Sequence, residues 1–405
     1  MRFCMLTTFY GAQSFGGDAA YVERLSRALV RRGHSVDVVH CSDAFAAAAN
    51  GHPLRRFEPI DGVRVHTLRS RLGRLSPLWS HQTGRMGPKA HAVRTLVEGE
   101  GLDVVHFHNV SLLGAPEVLE QSAANGAVRL MTAHEYWLVC PMHSLWKLDR
   151  EVCERPQCVR CTAHGRRPPQ LWRSRTRLGD ALGGLDALVC PSRHSAEMHA
   201  ARGVERPLTH LPYFLPDDWA GAAPAPPRRR DRPYLAAAGR LVRWKGFHEL
   251  IELMDRLPQL DLLLAGTGPR EPELRRLAAE RPNVELVGLL SPAELAELFR
   301  GARAVVVPSL GYETFGYVVL EALSVGTPAI VRRRGALPEL IEASGGGLVF
   351  DDADEAVAQI ERVASDGELH AHLAGAGAAA LRGIWSEESH VASYLELVEQ
   401  LRAER

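Results

Sequence analysis

Apolar residues along this chain alternate between two rhythms. Short runs such as RFCMLTT near the start and SVDVVHC at 35–41 read as buried strands, and AAYVERLSRALVRRG between them repeats its apolar positions at helical spacing. A glycine-bearing loop, GAQSFGGDA, joins the first run to that helix, and Gly33 stands where a helix C-cap belongs. The same order returns through DVVHFHN (103–109), APEVLEQSAANG, VRLMTAH (128–134) and LDALVCPS (185–192). Repeated βαβ units of this kind predict a parallel sheet with helices on both faces.

At 213–233 the rhythm gives way to YFLPDDWAGAAPAPPRRRDRP, in which prolines and small residues suggest an interdomain linker. A second series follows: YLAAAGR, FHELIELMDRL, LDLLLAGTG, EPELRRLAAE, VELVGLL, PAELAELFRGA, RAVVVPS, LEALSVG and PAIVRR. The terminal SEESHVASYLELVEQLRAER reads as a helix capped by Ser386. The expected organisation is a first domain at 1–212 with an insertion at 140–170, a linker at 213–233 and a second domain at 234–384. A terminal helix at 385–405 would return to the first domain. The fold class is α/β, with two doubly wound, Rossmann-like domains facing across a cleft. Ligands in such sheets bind at the carboxyl ends of the strands.

Composition narrows the partners. The 405 residues are 46% apolar, enough for two cores, and Lys+Arg and Asp+Glu balance at 48 each. That balance argues against nucleic acid as a partner of the whole surface. The chain has neither a signal-peptide pattern at its start nor an apolar run near 18 residues, so the expected location is cytoplasmic. Locally the balance fails: 63–97 contains seven Lys/Arg and no Asp or Glu. Two readings stand side by side, a solvated arginine-rich face and an attraction to an anionic acceptor or to the inner membrane surface.

The strand-to-loop junctions of the second domain carry the clearest chemistry. In VVVPSLGYETFGYVVLEALSVGTPAIV (305–331), Glu313 lies on a loop and Glu321 in the helix that starts near 315–317, with seven residues between them. The helix N-terminus suits a phosphate, and each carboxylate can accept from the paired hydroxyls of a ribose or hexose. Arg240 and Lys245 in GRLVRWKG bracket another such loop and supply positive charge for a diphosphate. A third loop, AGTGPREPEL, contains Gly266. Sugar plus diphosphate indicates a nucleotide sugar.

In this order GRLVRWKG, AGTG and PSLGYETFGYVVLEALSVGTPAIV resemble the carboxyl-terminal half of glycosyltransferase family 4, retaining enzymes of the GT-B fold, with the likeness clearest over 234–350. The resemblance implies transfer of a sugar from a UDP- or GDP-sugar to a glycan, lipid-linked or small-molecule acceptor, as in polysaccharide biosynthesis. Arg240 and Lys245 would hold the diphosphate, Glu321 the ribose, and Glu313 with the backbone at Phe315 and Gly316 the transferred sugar. Gly16 and Gly17 match the family's glycine-rich first loop, where a backbone can approach the diphosphate. His134 matches a histidine that contacts the donor sugar, although Glu135 stands where many members have Asp. His106 and His108 also end a strand; one is expected to line the cleft and the other to pack. LPYFLPDDW departs from the family's usual turn after the last strand of the first domain. Transfer would proceed on the front face, with the leaving phosphate taking the acceptor proton, no enzymic general base and no catalytic divalent metal. Two other classes fit less well. A Rossmann oxidoreductase lacks its compact Gly-x-Gly-x-x-Gly, and a zinc-containing nucleic-acid-binding protein conflicts with the balanced charge.

The four cysteines at 140, 153, 158 and 161 lie outside that family pattern. Cys140, Cys153, Cys158 and Cys161, spaced C-x12-C-x4-C-x2-C, predict a structural tetrathiolate zinc site worth about 10–16 kcal/mol of ordering energy. An iron–sulfur cluster, two disulfides, free thiols, or replacement of one sulfur by His143 or His164 remain open. Trp146 and Lys147 inside this loop are candidates for acceptor contact. Cys4, Cys41 and Cys190 sit in apolar runs and read as core residues.

Overall fold

The computed structural model describes residues 1–49, 54–55, 57–98, 101–120, 126–170, 172–173, 175–221 and 231–405. The chain divides into two compact units: Met1–His143, Gln157–Pro212 and Val391–Arg405 form the first, Ser144–Pro156 and Tyr213–His390 the second.

Strands β1 (Arg2–Leu6), β2 (Ser35–Cys41), β3 (Val63–Leu68), β4 (Val104–Phe107) and β5 (Val128–Thr132) belong to the first unit. A hairpin of β6 (Trp146–Lys147) and β7 (Glu151–Val152) belongs to the second, and β8 (Ala187–Cys190) and β9 (Leu208–His210) return to the first. The first sheet runs β3-β2-β1-β4-β5-β8-β9, every pairing parallel. Its central strands are buried along almost their whole length, which is why they read as continuous apolar runs. The Gly17–Arg31 helix buries Tyr21, Val22, Leu25, Ala28 and Leu29 and ends at Gly33, whose N–H donates to Val30 O at 2.9 Å with φ 80°.

The second sheet comprises β10 (Tyr234–Ala238), β11 (Asp261–Ala265), β12 (Val284–Gly288), β13 (Ala304–Val307), β14 (Ala329–Arg332) and β15 (Gly347–Phe350). Its order is β12-β11-β10-β13-β14-β15, again parallel throughout. Leu235, Leu264, Val306 and Ile330 form a core with Phe247, Ile251 and Ile360. Each sheet reverses its direction of growth once, between β1 and β4 and between β10 and β13. The crevices opened there are where ligands of such folds bind.

Several boundaries differ from those read in the sequence. Tyr213, Phe214 and Leu215 are not a linker but core: Phe214 is fully buried and stacks on His390 at 4.6 Å, while Leu215 N–H donates to Trp385 O at 3.0 Å. Three large side chains in a row, each worth about 1.5–3 kcal/mol when buried, outweigh the prolines that follow. The proline-rich remainder at 222–230 lies outside the described residues. The insertion is not one body with the first domain, because Ser144–Pro156 groups with the second unit, where Asp149 forms an ion pair with Arg270. The terminal helix spans Glu387–Ala403, with Ser386 Oγ accepting from Ser389 N–H at 3.1 Å as a cap. From Val391 onward it groups with the first unit, through Tyr394 on His106 and Arg402 on Asp103.

Candidate active site

Three loops of the second unit meet at the carboxyl ends of β10, β11 and β13. Leu241 N–H donates to Thr267 O at 2.9 Å and Arg270 N–H to Leu241 O at 3.0 Å, joining the first two; Leu310 N–H donates to Trp244 O at 2.7 Å, joining the third. The backbones approach too closely for side chains. A Cβ on Gly266 (φ 132°) would lie 1.9 Å from Gly239 O, and one on Gly246 (φ 72°) would lie 2.1 Å from Pro308 O. Glycine is thus required by space and by conformation together.

This frame brings Lys245 and Glu313 together. Lys245 Nζ donates to Glu313 Oε1 at 2.6 Å, and Ser309 Oγ donates to the same oxygen at 2.6 Å. The pair is largely covered, with 19% and 10% of the two side chains exposed. An ammonium has three donors and a carboxylate two oxygens, so with respect to the described residues the pair retains two N–H groups and Oε2 for a ligand. The Trp244 ring lies 4.7 Å from Nζ and limits its approach from one side. Arg240, separated from the end of β10 by Gly239, is exposed.

Phe315 is buried against Tyr213 (4.9 Å between ring centroids), so its backbone rather than its ring is available to a ligand. Gly316 (φ 119°) caps the Tyr317–Ser324 helix, and Glu321 lies half-buried in that helix. Val319 N–H donates to Gly316 O at 2.9 Å, and the helix end favours an anion by about 0.3–1 kcal/mol.

In the first unit the carboxyl ends of β1, β4 and β5 collect a second cluster. Gly16 (φ 100°) is exposed and precedes Gly17, where the Gly17–Arg31 helix begins. His134 Nε2 and His108 Nδ1 share a hydrogen bond of 2.9 Å, and the Tyr21 ring lies 5.3 Å from His134. Burial pushes His134 down to about 3 and carries His108 well below its ordinary value, so both rings are neutral at physiological pH. His106 has a packing role: its two ring nitrogens bridge Tyr394 Oη at 3.0 Å and Thr132 Oγ1 at 2.8 Å, fully buried. Asp18 accepts from Asn109 Nδ2 at 3.2 Å, and burial, with the charge of Glu135 adding, pushes its carboxyl up to about 6. Glu135 in turn pairs with His143.

Sequence reading missed Ser309, Asp18, Tyr21, Asn109 and Tyr213. Two had a signal: Ser309 stands four residues before Glu313, and Asp18 follows the glycine pair directly. Tyr213 was hidden by the prolines after it.

The predicted tetrathiolate site finds no support in the structure, which divides its cysteines between the two units. Among the described residues no three His, Cys, Asp or Glu side chains are placed to hold a metal ion, and no disulfide forms. Cys158 and Cys161 open a helix, Cys158–His164, and Cys158 is exposed while Cys161 is buried. Cys153 belongs to the hairpin segment of the second unit, with its N–H on Leu145 O at 2.7 Å. The charge near Cys140 and Cys158 is a guanidinium: Arg173 interacts electrostatically with both and packs against the Trp137 and Trp172 rings at 4.9 and 5.4 Å. Trp146 is buried and Lys147 pairs with Glu151 at 2.7 Å, so both build the hairpin. Cys4, Cys41 and Cys190 are buried as expected, the thiols of Cys4 and Cys190 pushed up to about 12.

Two units with parallel sheets, each with polar clusters at its switch point, have the architecture of the GT-B fold. Residues 15–219 match the family model described as Glycosyltransferase Family 4, and 223–379 match Glycosyl transferases group 1. The chain belongs to glycosyltransferase family 4. It is 30% identical over 236 residues to a lipopolysaccharide core biosynthesis glycosyltransferase of Rhizobium meliloti, covering 55% of this chain and 68% of that protein. Sucrose-phosphate synthase from Thermosynechococcus elongatus shares the fold with TM-score 0.73 at 21% identity, covering 100% of both chains. Anabaena HepE in complex with UDP and glucose shares it with TM-score 0.66 at 18% identity, covering 99% of this chain and 100% of that one.

Proposed function

We propose that the protein transfers a sugar from a nucleoside-diphosphate sugar to a hydroxyl of a glycan or lipid-linked acceptor, with retention of anomeric configuration. The observation that supports it best is the Lys245–Glu313 pair, held by Ser309 on glycine-built loops beside a helix N-terminus. Lys245 and Arg240 take the diphosphate and Glu321 takes the ribose. Glu313 takes sugar hydroxyls through Oε2, together with the backbone of Phe315 and Gly316. Gly16 and Gly17 leave backbone open to phosphate, and neutral His134 hydrogen-bonds the sugar. The bond from the anomeric carbon to the β-phosphate oxygen breaks as the acceptor oxygen bonds on the same face. The acceptor proton passes to the leaving phosphate, whose growing charge Lys245 stabilises.

UDP-sugars are the first donors to try, since HepE is seen with UDP and glucose. A lipid-linked glycan is the first acceptor class, since the Rhizobium relative acts in lipopolysaccharide core biosynthesis. Product mass spectrometry across UDP- and GDP-sugars tests the reading. One donor class should give a product with added hexose mass and an α-linkage from an α-donor. Inversion at the anomeric carbon, or turnover with neither donor class across these acceptors, would sink it.

A further inference from the structure

The basic segment at 63–97 ends up with an unusual surface. Lys89 leaves it: the ammonium is buried and donates to Ser80 Oγ and Leu112 O, both at 3.0 Å. Arg94 pairs with Glu117 at 3.2 Å. Arg71, Arg74 and Arg85 are exposed and have no acidic partner among the described residues. Between them the Leu75–Thr83 helix is inside out. It buries Ser76, Pro77 and Ser80 and exposes Leu75 (62%), Leu78 (47%) and Trp79 (47%). These three share one helical stripe by their i, i+3, i+4 spacing. Leu72, 41% exposed, extends it by a turn, and Val65 on the edge strand β3 is 45% exposed.

A helix that faces water should bury its apolar side, and this one buries two serines and a proline instead. Its outer face combines apolar side chains at the centre with arginines at both ends. That pairing suits one surface, where acyl chains and anionic headgroups lie within a few ångströms of each other. The segment stands at the carboxyl end of the first sheet: Ser42 Oγ donates to Leu68 O at 3.2 Å, and Ser70 N–H donates to Asp43 Oδ2 at 2.7 Å. Gly16 and His134 lie at the carboxyl ends of strands in the same parallel sheet. Among the described residues no helix is long and apolar enough to cross a membrane.

We infer that Leu72, Leu75, Leu78 and Trp79, with Arg71, Arg74 and Arg85, dock the protein on an anionic lipid bilayer. The docking does not depend on the transfer reaction, and a soluble-acceptor assay separates the two readings.

The test is sedimentation of the full chain with sucrose-loaded vesicles of phosphatidylcholine, alone or mixed with phosphatidylglycerol, at low and raised salt. The protein should pellet with the mixed vesicles and less so at raised salt. Arg71→Gln/Arg74→Gln should lower partitioning about fivefold per charge removed. Leu75→Ser/Leu78→Ser should lower it at low salt as well. Unchanged melting temperature and unchanged turnover on a soluble acceptor show that these variants fold. No pelleting with mixed vesicles, or equal pelleting of wild type and both variants, overturns the proposal. So does light scattering that shows Leu75→Ser/Leu78→Ser converting a dimer to a monomer, which would assign the stripe to a second copy of this chain.

Discussion

Lys245 and Glu321 serve different stages of the proposed reaction. In that proposal Lys245 would face charge that grows as the diphosphate departs, whereas Glu321 would hold a part of the donor that does not change. Lys245→Ala should therefore lower kcat by about 10²–10³ with a smaller change in donor KM. Glu321→Ala should raise donor KM and leave kcat within a few-fold. Steady-state kinetics with varied donor decide it, and a Lys245→Ala enzyme with wild-type kcat would remove the assigned role. That Lys245 and Glu313 stand on loops after strands was legible in the sequence, because strand and helix periods are written in consecutive residues. Their mutual bond was not, since 68 positions separate Lys245 from Glu313 and only the folded loops close that distance.

Among the loops, glycines do unequal work. Gly246 has φ 72° and Pro308 O where a Cβ would lie; Gly33 has φ 80° and nothing within 4 Å. Gly33→Ala should cost only the left-handed penalty, about 1–2 kcal/mol. Gly246→Ala should cost more than Gly33→Ala in urea denaturation and should also weaken donor binding, because the preceding residue is Lys245. Equal costs would mean that the loop relaxes freely. The strands and the Gly17–Arg31 helix followed from periodicity alone. The YFL triplet at 213–215 did not, because its burial depends on Trp385 and His390 far along the chain. The cysteine spacing did not foretell the local structure: Cys158 and Cys161 lie at the start of a helix, while Cys153 belongs to the hairpin segment of the second unit.

Across the chain as a unit, buried histidines give a pH dependence. His40 and His199 are buried and held down to about 4 by desolvation, against 6.5 when exposed. A depressed base contributes stability that is present above 6.5 and lost as pH falls from there toward 4. Each should cost about 1 kcal/mol one pH unit below 6.5. Asp18 has the opposite sign, since its raised carboxyl favours the folded state most below 3.8 and loses that advantage as pH rises through about 6. Urea denaturation at pH 7.5 and 5.5 should show lower stability at 5.5, with the histidines outweighing Asp18. Equal or greater stability at pH 5.5 would contradict these burials.

Local periodicity was enough to specify two parallel α/β sheets, because strand and helix repeats are written in consecutive residues. The placing of Arg240, Lys245 and Glu313 on strand-to-helix loops, and of Glu321 in a helix that follows such a loop, was legible for the same reason. Long-range packing decided the rest: the Lys245–Glu313–Ser309 triplet, the neutral His108–His134 pair, the cysteines that do not converge and the helix that turns its leucines outward. Those outcomes, apart from the cysteines, whose metal site simply finds no support among the described residues, depend on which distant surfaces compete for the same side chain, and no window of neighbouring residues contains that competition.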